Sequence, residues 1–209
     1  HQIYILVKKL MKLSIVVLVF LCFAFIPKND KITVVIDAAH GGSDLGATMN
    51  GFSEKEIVSS IAQKIENLNL NSNIEILLTR SDDQNIPNQE RVAFINAMKP
   101  DLVISLHVNA SKNSEFNGLE VFVSEKSTEY LASKEFASKF HASITNKMPL
   151  KIHPLKNANF LILRRSDVPA MLVELGYLSN QNDKAYLENK DNQIEIAQNI
   201  LTFVANLKS

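Results

Sequence analysis

One cysteine, Cys22, occurs in the 209 residues, inside an apolar run near the N-terminus. The remainder of the chain can therefore form no internal disulfide, and it offers neither a thiolate metal site nor a cysteine nucleophile. Any metal must be held by His, Asp or Glu. Charge of one sign is also lacking in excess: Lys+Arg and Asp+Glu both number 22. No basic surplus is available for a polyphosphate backbone, so nucleic acid is not an expected partner. Tryptophan is absent, and the six glycines and six prolines are not gathered into any low-complexity tract or internal repeat. With 46% hydrophobic residues and no net charge, the chain has the balance of a globular protein rather than a disordered one.

Long hydrophobic runs are missing except for one. Residues 13–26 hold a single polar residue, Ser14, and no charge, with Lys8, Lys9 and Lys12 before them and Pro27-Lys28-Asn29-Asp30 after. A positive flank followed by a short apolar stretch reads as an export signal. At fourteen residues it is shorter than the ~20 that a spanning helix needs. No small-x-small cleavage site is obvious, so residues 1–27 are read as an export signal or a retained anchor, with 13–26 as the possible membrane tether. The expected location is outside the cytoplasm, in the periplasm or cell envelope. Beyond residue 27 the balance becomes nineteen positive against twenty-two negative side chains.

Six short aliphatic runs follow: 32–36, 74–78, 102–106, 119–123, 160–163 and 170–173. Several are continuously apolar, as expected of strands covered on both faces. Helical patterns lie between and after them at 54–68, 88–98, 126–146 and 192–207. The clearest places Ile57, Ile61, Ile65 and Leu68 on one face, and Ser53 with Glu56 forms a capping-box signature at its start. Strand–helix alternation in ~30-residue units predicts one α/β domain over residues 28–209. It should have about six strands in a mostly parallel sheet, with helices on both faces.

Sites in such sheets gather past the carboxyl ends of the strands. The run 32–36 leads into Asp37-Ala38-Ala39-His40-Gly41-Gly42, 102–106 into His107-Val108-Asn109, and 170–173 into Glu174-Leu175-Gly176. Glu54 opens the capped helix after the His40 loop. Two imidazoles and one carboxylate form a catalytic zinc set that leaves a fourth position for water. Glu54 suits the ligand role, since a helix N-terminus favours the ionised carboxylate. Glu174, ending an apolar strand, suits a general base and acid, and Asp37 is a candidate to orient a ligating histidine from behind. Each residue also has a plainer reading. His40 could be a loop histidine beside turn glycines, and His107 a partly buried one. Glu54 could be a helix-start charge, Asp37 a strand-end turn residue, and Glu174 a partner of Arg164 or Arg165. No compact His-Glu-x-x-His is present, and spacing alone leaves these alternatives open.

Three blocks carry the same residues in order: Val34 to Ala47 followed by Glu54-Lys55-Glu56; Leu78-Thr79-Arg80 with Arg91 and Ser105 to Ala110; and Pro169 to Asn180. In these blocks the sequence resembles the zinc-dependent N-acetylmuramoyl-L-alanine amidases, the type-3 bacterial cell-wall family. The resemblance implies Zn2+ held by His40, Glu54 and His107, with Glu174 as the catalytic carboxylate. It also implies peptidoglycan or muropeptides as substrate, cut at the amide between N-acetylmuramic acid and L-alanine. A departure is Ala39, where the family usually has glycine: if that position needs a positive φ, Ala39 is strained. His153 is a second departure, read as a surface histidine or a substrate contact. Two other functions compete: a non-catalytic peptidoglycan-binding module of the same fold, and a metallopeptidase acting on stem-peptide bonds.

Overall fold

Strand β1 (Ile32–Ala38) is built from Ile-Thr-Val-Val-Ile-Asp-Ala and lies one strand in from the edge of a six-stranded sheet, buried along nearly its whole length. The structure is a computed structural model and describes residues 31–207. The export segment or anchor expected at 1–27 lies outside the described residues, and among the described residues no helix is long and apolar enough to cross a membrane. The other strands are β4 (Ile74–Leu78), β5 (Leu102–Asn109), β6 (Glu120–Val123), β7 (Lys156–Asn157) and β8 (Ala170–Tyr177). Their order is β4-β1-β5-β8-β6-β7. Neighbours are parallel except β6 against β8, so the sheet is mostly parallel, as expected. A two-stranded hairpin, β2 (Thr48–Met49) and β3 (Phe52–Ser53), stands apart from it.

Period-two alternation sorts the strand side chains onto two faces. Val34, Ile36, Ile104, Leu106 and Val173 join the larger core. Helices pack into this core through Ile57, Ile61 and Ile65 of α1 (Glu54–Leu68), Phe140 and Ile144 of α3 (Tyr130–Ile144), Tyr186 and Leu187 of α5 (Gln181–Glu188), and Ile196, Ile200 and Phe203 of α6 (Lys190–Ala205). A fully buried aliphatic side chain contributes about 1.5–3 kcal/mol, so the α1 triad is a principal anchor. On the opposite face Val35, Val103, Ala170 and Leu172 pack against Ile95 of α2 (Asn88–Met98) and Ile162 and Leu163 of α4 (Leu161–Arg165). Helices thus lie on both faces. This second face is apolar only part-way along. Following the same alternation past Val35, Val103 and Leu172 gives Asp37, then Ser105 and His107, then Glu174, so it turns polar at the strands' carboxyl ends.

Several elements differ from the sequence reading, among them β5 and β8, which run on to Asn109 and Tyr177 and so carry His107 and Glu174 inside strands. The run 160–163 is not a strand: Phe160 caps the short helix α4. The sixth strand is instead the two-residue β7, held by pairing to Phe122 and Val123. The helix expected at 192–207 is α6, and a further helix, α5 (Gln181–Glu188), which the sequence reading did not place, precedes it. Asn189 ends α5, and its side chain accepts from the amides of Asp191 and Asn192 to start α6.

Candidate active site

Glu54 is the hub. It is the first residue of α1, buried, with each carboxylate oxygen engaged twice. Oε2 accepts from the Ala47 amide at 2.8 Å and lies 3.0 Å from His40 Nε2. Oε1 accepts from the Val108 amide at 3.0 Å and lies 2.9 Å from His107 Nδ1. The local fold produces this arrangement: the Ser53 hydroxyl donates to Glu56 at 2.7 Å rather than to a helix amide, and the Glu54 amide donates to Ala47 O. The turn before α1 thereby folds back over the carboxylate. Gly46 lies against it with φ +64, where an added Cβ would stand 2.3 Å from Glu54 Oε2 and 2.8 Å from His40 Nε2. Only glycine fits there.

His40 reaches the hub from the loop after β1. Its backbone is left-handed, φ +60, and Gly41 and Gly42 continue with positive φ. Ala39 is not among the positive-φ residues, so it does not bear the strain expected of it; the histidine does. Such a backbone costs about 1–3 kcal/mol and persists where its surroundings fix it. Two buried arginines supply that fixing. Arg91 donates through Nη2 to His40 O at 2.5 Å and through Nη1 to Ala38 O at 2.7 Å. Arg80 donates through Nε to Ala38 O and through Nη2 to Ala39 O, both at 3.0 Å.

Asp37 differs from its expected place behind a histidine. It accepts from Arg91 Nη1 at 2.8 Å, the Thr79 hydroxyl at 2.7 Å and the Ser105 hydroxyl at 2.6 Å, and no imidazole is among these partners. Burial pushes its carboxyl up, but Arg91 and the two hydroxyls reverse this and hold it below the usual carboxylate range. It acts on the loop through Arg91. The group behind an imidazole is Asp44, 2.8 Å from His40 Nδ1. Sequence reasoning gave Asp44, Arg80 and Arg91 no role; the spacing of four between His40 and Asp44 was the available signal for the first.

The donor atoms of His40, Glu54 and His107 lie within 4.8 Å of one another, and the two rings meet edge to face with centroids 5.4 Å apart. Small side-chain rotations bring such a set onto one ion with bonds of about 2.0–2.2 Å. The donor chemistry is that of a zinc site, two neutral-capable imidazoles and a carboxylate kept ionised. Burial pushes Glu54 up, but hydrogen bonds from His107 and His40 outweigh it and hold it at about 2. The hydrogen bond to Glu54 pushes His40 up to about 9, against its partial burial and with help from Asp44. A proton and a cation would therefore compete for His40 Nε2. With His40 raised to about 9, zinc uptake should release a proton from it near neutral pH, and apparent affinity should climb with pH up to about 9 and then level off. Calorimetry in buffers of different ionisation enthalpy measures this; pH-independent affinity would contradict it.

Glu174 is the register partner of His107 across β5–β8. Its Oε2 is buried without a hydrogen-bond partner, and it pairs with neither Arg164 nor Arg165. Burial pushes the carboxyl up to about 7. Across β6–β8 it faces Glu120, itself buried and ion-paired with Lys156. Beside the two imidazoles lies a cavity of about 130 Å³ walled by His40, Asp44, His107, Phe160 and Leu161 among others. Lys55 donates to both Gly42 O and Asp83 in the loops around His40. His153, read as a surface histidine or a substrate contact, is half-buried and has a structural contact: its Nε2 lies 2.7 Å from Asn117 O.

A model of the N-acetylmuramoyl-L-alanine amidase family matches residues 34–206. Protein YqiI of Bacillus subtilis (strain 168) is 31% identical over 169 residues, covering 81% of each chain. N-acetylmuramoyl-L-alanine amidase CwlM of Bacillus licheniformis is 32% identical over 161 residues, 76% of this chain and 61% of that protein. The catalytic domain of CwlV, an N-acetylmuramoyl-L-alanine amidase from Bacillus (Paenibacillus) polymyxa var. colistinus, superposes with a TM-score of 0.78 at 34% identity, covering 83% of this chain and 96% of that one.

Proposed function

This chain belongs to the N-acetylmuramoyl-L-alanine amidase family, and from that premise we propose that it hydrolyses the amide joining N-acetylmuramic acid to L-alanine in peptidoglycan. His40, Glu54 and His107 would hold zinc, with Glu174 as general base and acid. One observation carries the catalytic part: a carboxylate with a buried, unpartnered oxygen stands next to a converging His-Glu-His set. A buried acceptor left unsatisfied costs about 1–3 kcal/mol, which fits a group that meets its partner in the working complex.

Zinc in this donor set supplies Lewis acidity toward water and toward the scissile carbonyl. The chain's own residues do the rest. Glu54 stays ionised because two amides and two imidazoles solvate it in place of water. Asp44 would fix the His40 ring through Nδ1, so that Nε2, the nitrogen 3.0 Å from Glu54 Oε2, is the one that would turn to the cation. Glu174, with its carboxyl raised by burial, takes the proton of the attacking water at Oε2 and delivers it to the departing alanine nitrogen. A non-catalytic wall-binding module would have no use for that orphaned oxygen.

The substrate lies outside the cytoplasm, so we place the enzyme in the cell envelope, with residues 1–27 as its export signal or anchor. The test is product identification on purified sacculi. Intact stem peptides and peptide-free glycan should appear, and a chelator should stop their release. Cleavage within the stem would mark a metallopeptidase instead, and pelleting with the wall without release would mark a binder.

A further inference from the structure

An open groove of about 840 Å³ runs between α2 and α4, walled by Val92, Asn96, Leu161, Arg164, Arg165 and Lys126. It adjoins the metal-centre cavity: Leu161 belongs to the walls of both, and α2 gives Asn88 to the cavity and Val92 and Asn96 to the groove. Three of its residues are cations, set against one carboxylate, Asp167. Among the described residues no ion pair engages Lys126, Arg164 or Arg165. Arg164 Nε is in addition buried without a partner. The floor is fixed, because Asn96 donates to Arg165 O at 3.0 Å and accepts from the Asp167 amide at 2.9 Å. In a chain with no net charge, three unpaired cations in one trough call for an anionic occupant.

We infer that this groove is the stem-peptide subsite, and that Arg164, Arg165 and Lys126 bind the peptide's free carboxylates. The inference rests on the amidase reading and deepens it. In the bond to be cut the lactyl carboxyl is already consumed as an amide, so free carboxylates lie on the peptide side of the substrate. Dimensions agree. Asn88 to Asn96 spans about 12 Å of helix, and four extended residues span about 13 Å. A guanidinium fork meets a carboxylate through two parallel hydrogen bonds. The groove therefore sets the polarity of binding, with the peptide departing along α2 and α4.

The test measures binding of a free stem tetrapeptide to the full chain, by calorimetry and amide chemical shifts, beside the same peptide with its carboxylates amidated. The parent chain should prefer the carboxylate form, with shifts along α2 and α4. R164Q/R165Q should lose about tenfold or more for that form, the loss expected when a hydrogen bond between charged groups is removed. It should bind the amidated peptide as the parent does and hold zinc equally well. K126Q, at an exposed position, should lose less in the same sense. Equal binding of both peptides, no binding of either, or tighter binding of a glycerol-phosphate oligomer than of the peptide would overturn the inference. Because the free peptide has no scissile amide, this result stands apart from the sacculus assay: a chain that released nothing from sacculi would refute the amidase reading, while the groove would still be judged by binding.

Discussion

Glu174→Gln should keep its zinc and its fold while losing roughly 10²–10⁴-fold in amide hydrolysis, the range that a positioned general acid–base group contributes. The substitution keeps the shape of the side chain and removes only its capacity to take up and return a proton. Its stability cost should be small, because Oε2 has no hydrogen bond to lose and the amide removes an ionisable group from a site where burial disfavours the charge. Loss should fall on kcat more than on KM, since the proton moves in the transition state and not on binding. The pH profile gives a second readout. With its carboxyl raised to about 7 by burial, Glu174 is half protonated near neutrality in the metal-free protein. Activity should therefore rise with pH along an acid limb, and a nearby divalent cation moves that limb downward. In Glu174→Gln the limb should vanish. Retained hydrolysis with metal still bound would remove Glu174 from the mechanism.

What could be read in advance follows from how local each feature is. β4 lies at 74–78 and α1 at 54–68, the ranges taken from the sequence, because in both the side-chain period and the burial pattern coincide. The run 160–163 failed for the converse reason: four apolar residues have no measurable period, and tertiary packing of Ile162 and Leu163 decides for a helix. β7 was invisible, as Lys156 and Asn157 have no strand character of their own and are extended only by pairing with β6. The same division holds at the site. His40 follows β1, Glu54 opens α1, and His107 and Glu174 lie in β5 and β8 beyond their apolar runs, and the parallel sheet delivers such positions to one edge. Asp37 has that address too, but the alternation aims it at Arg91, Thr79 and Ser105. The left-handed His40 turns its ring away toward Asp44. Backbone twist at one residue is not written in hydrophobic periodicity, so the supporting carboxylate could not be told from its neighbour.

His107→Ala should abolish zinc retention at physiological pH, and the size of that loss relative to Asp44→Ala tests the whole constellation. Asp44 touches His40 through Nδ1 and would touch no metal, and removing such an outer partner lowers affinity by about 10–100-fold. Removing one of three protein donors should cost more than that, leaving two donors. The protein should still fold, because Glu54 keeps the amides of Ala47 and Val108 and the His40 ring when the 2.9 Å contact to His107 is gone. Bound zinc after gel filtration, together with thermal unfolding of the metal-free variants, separates the two effects. The expected order of occupancy is parent above Asp44→Ala above His107→Ala, with metal-free melting temperatures close together. A fully occupied His107→Ala would place the ion elsewhere. An Asp44→Ala variant as empty as His107→Ala would mean that Asp44 belongs to the donor set itself, and that Glu54 holds the rings rather than the cation.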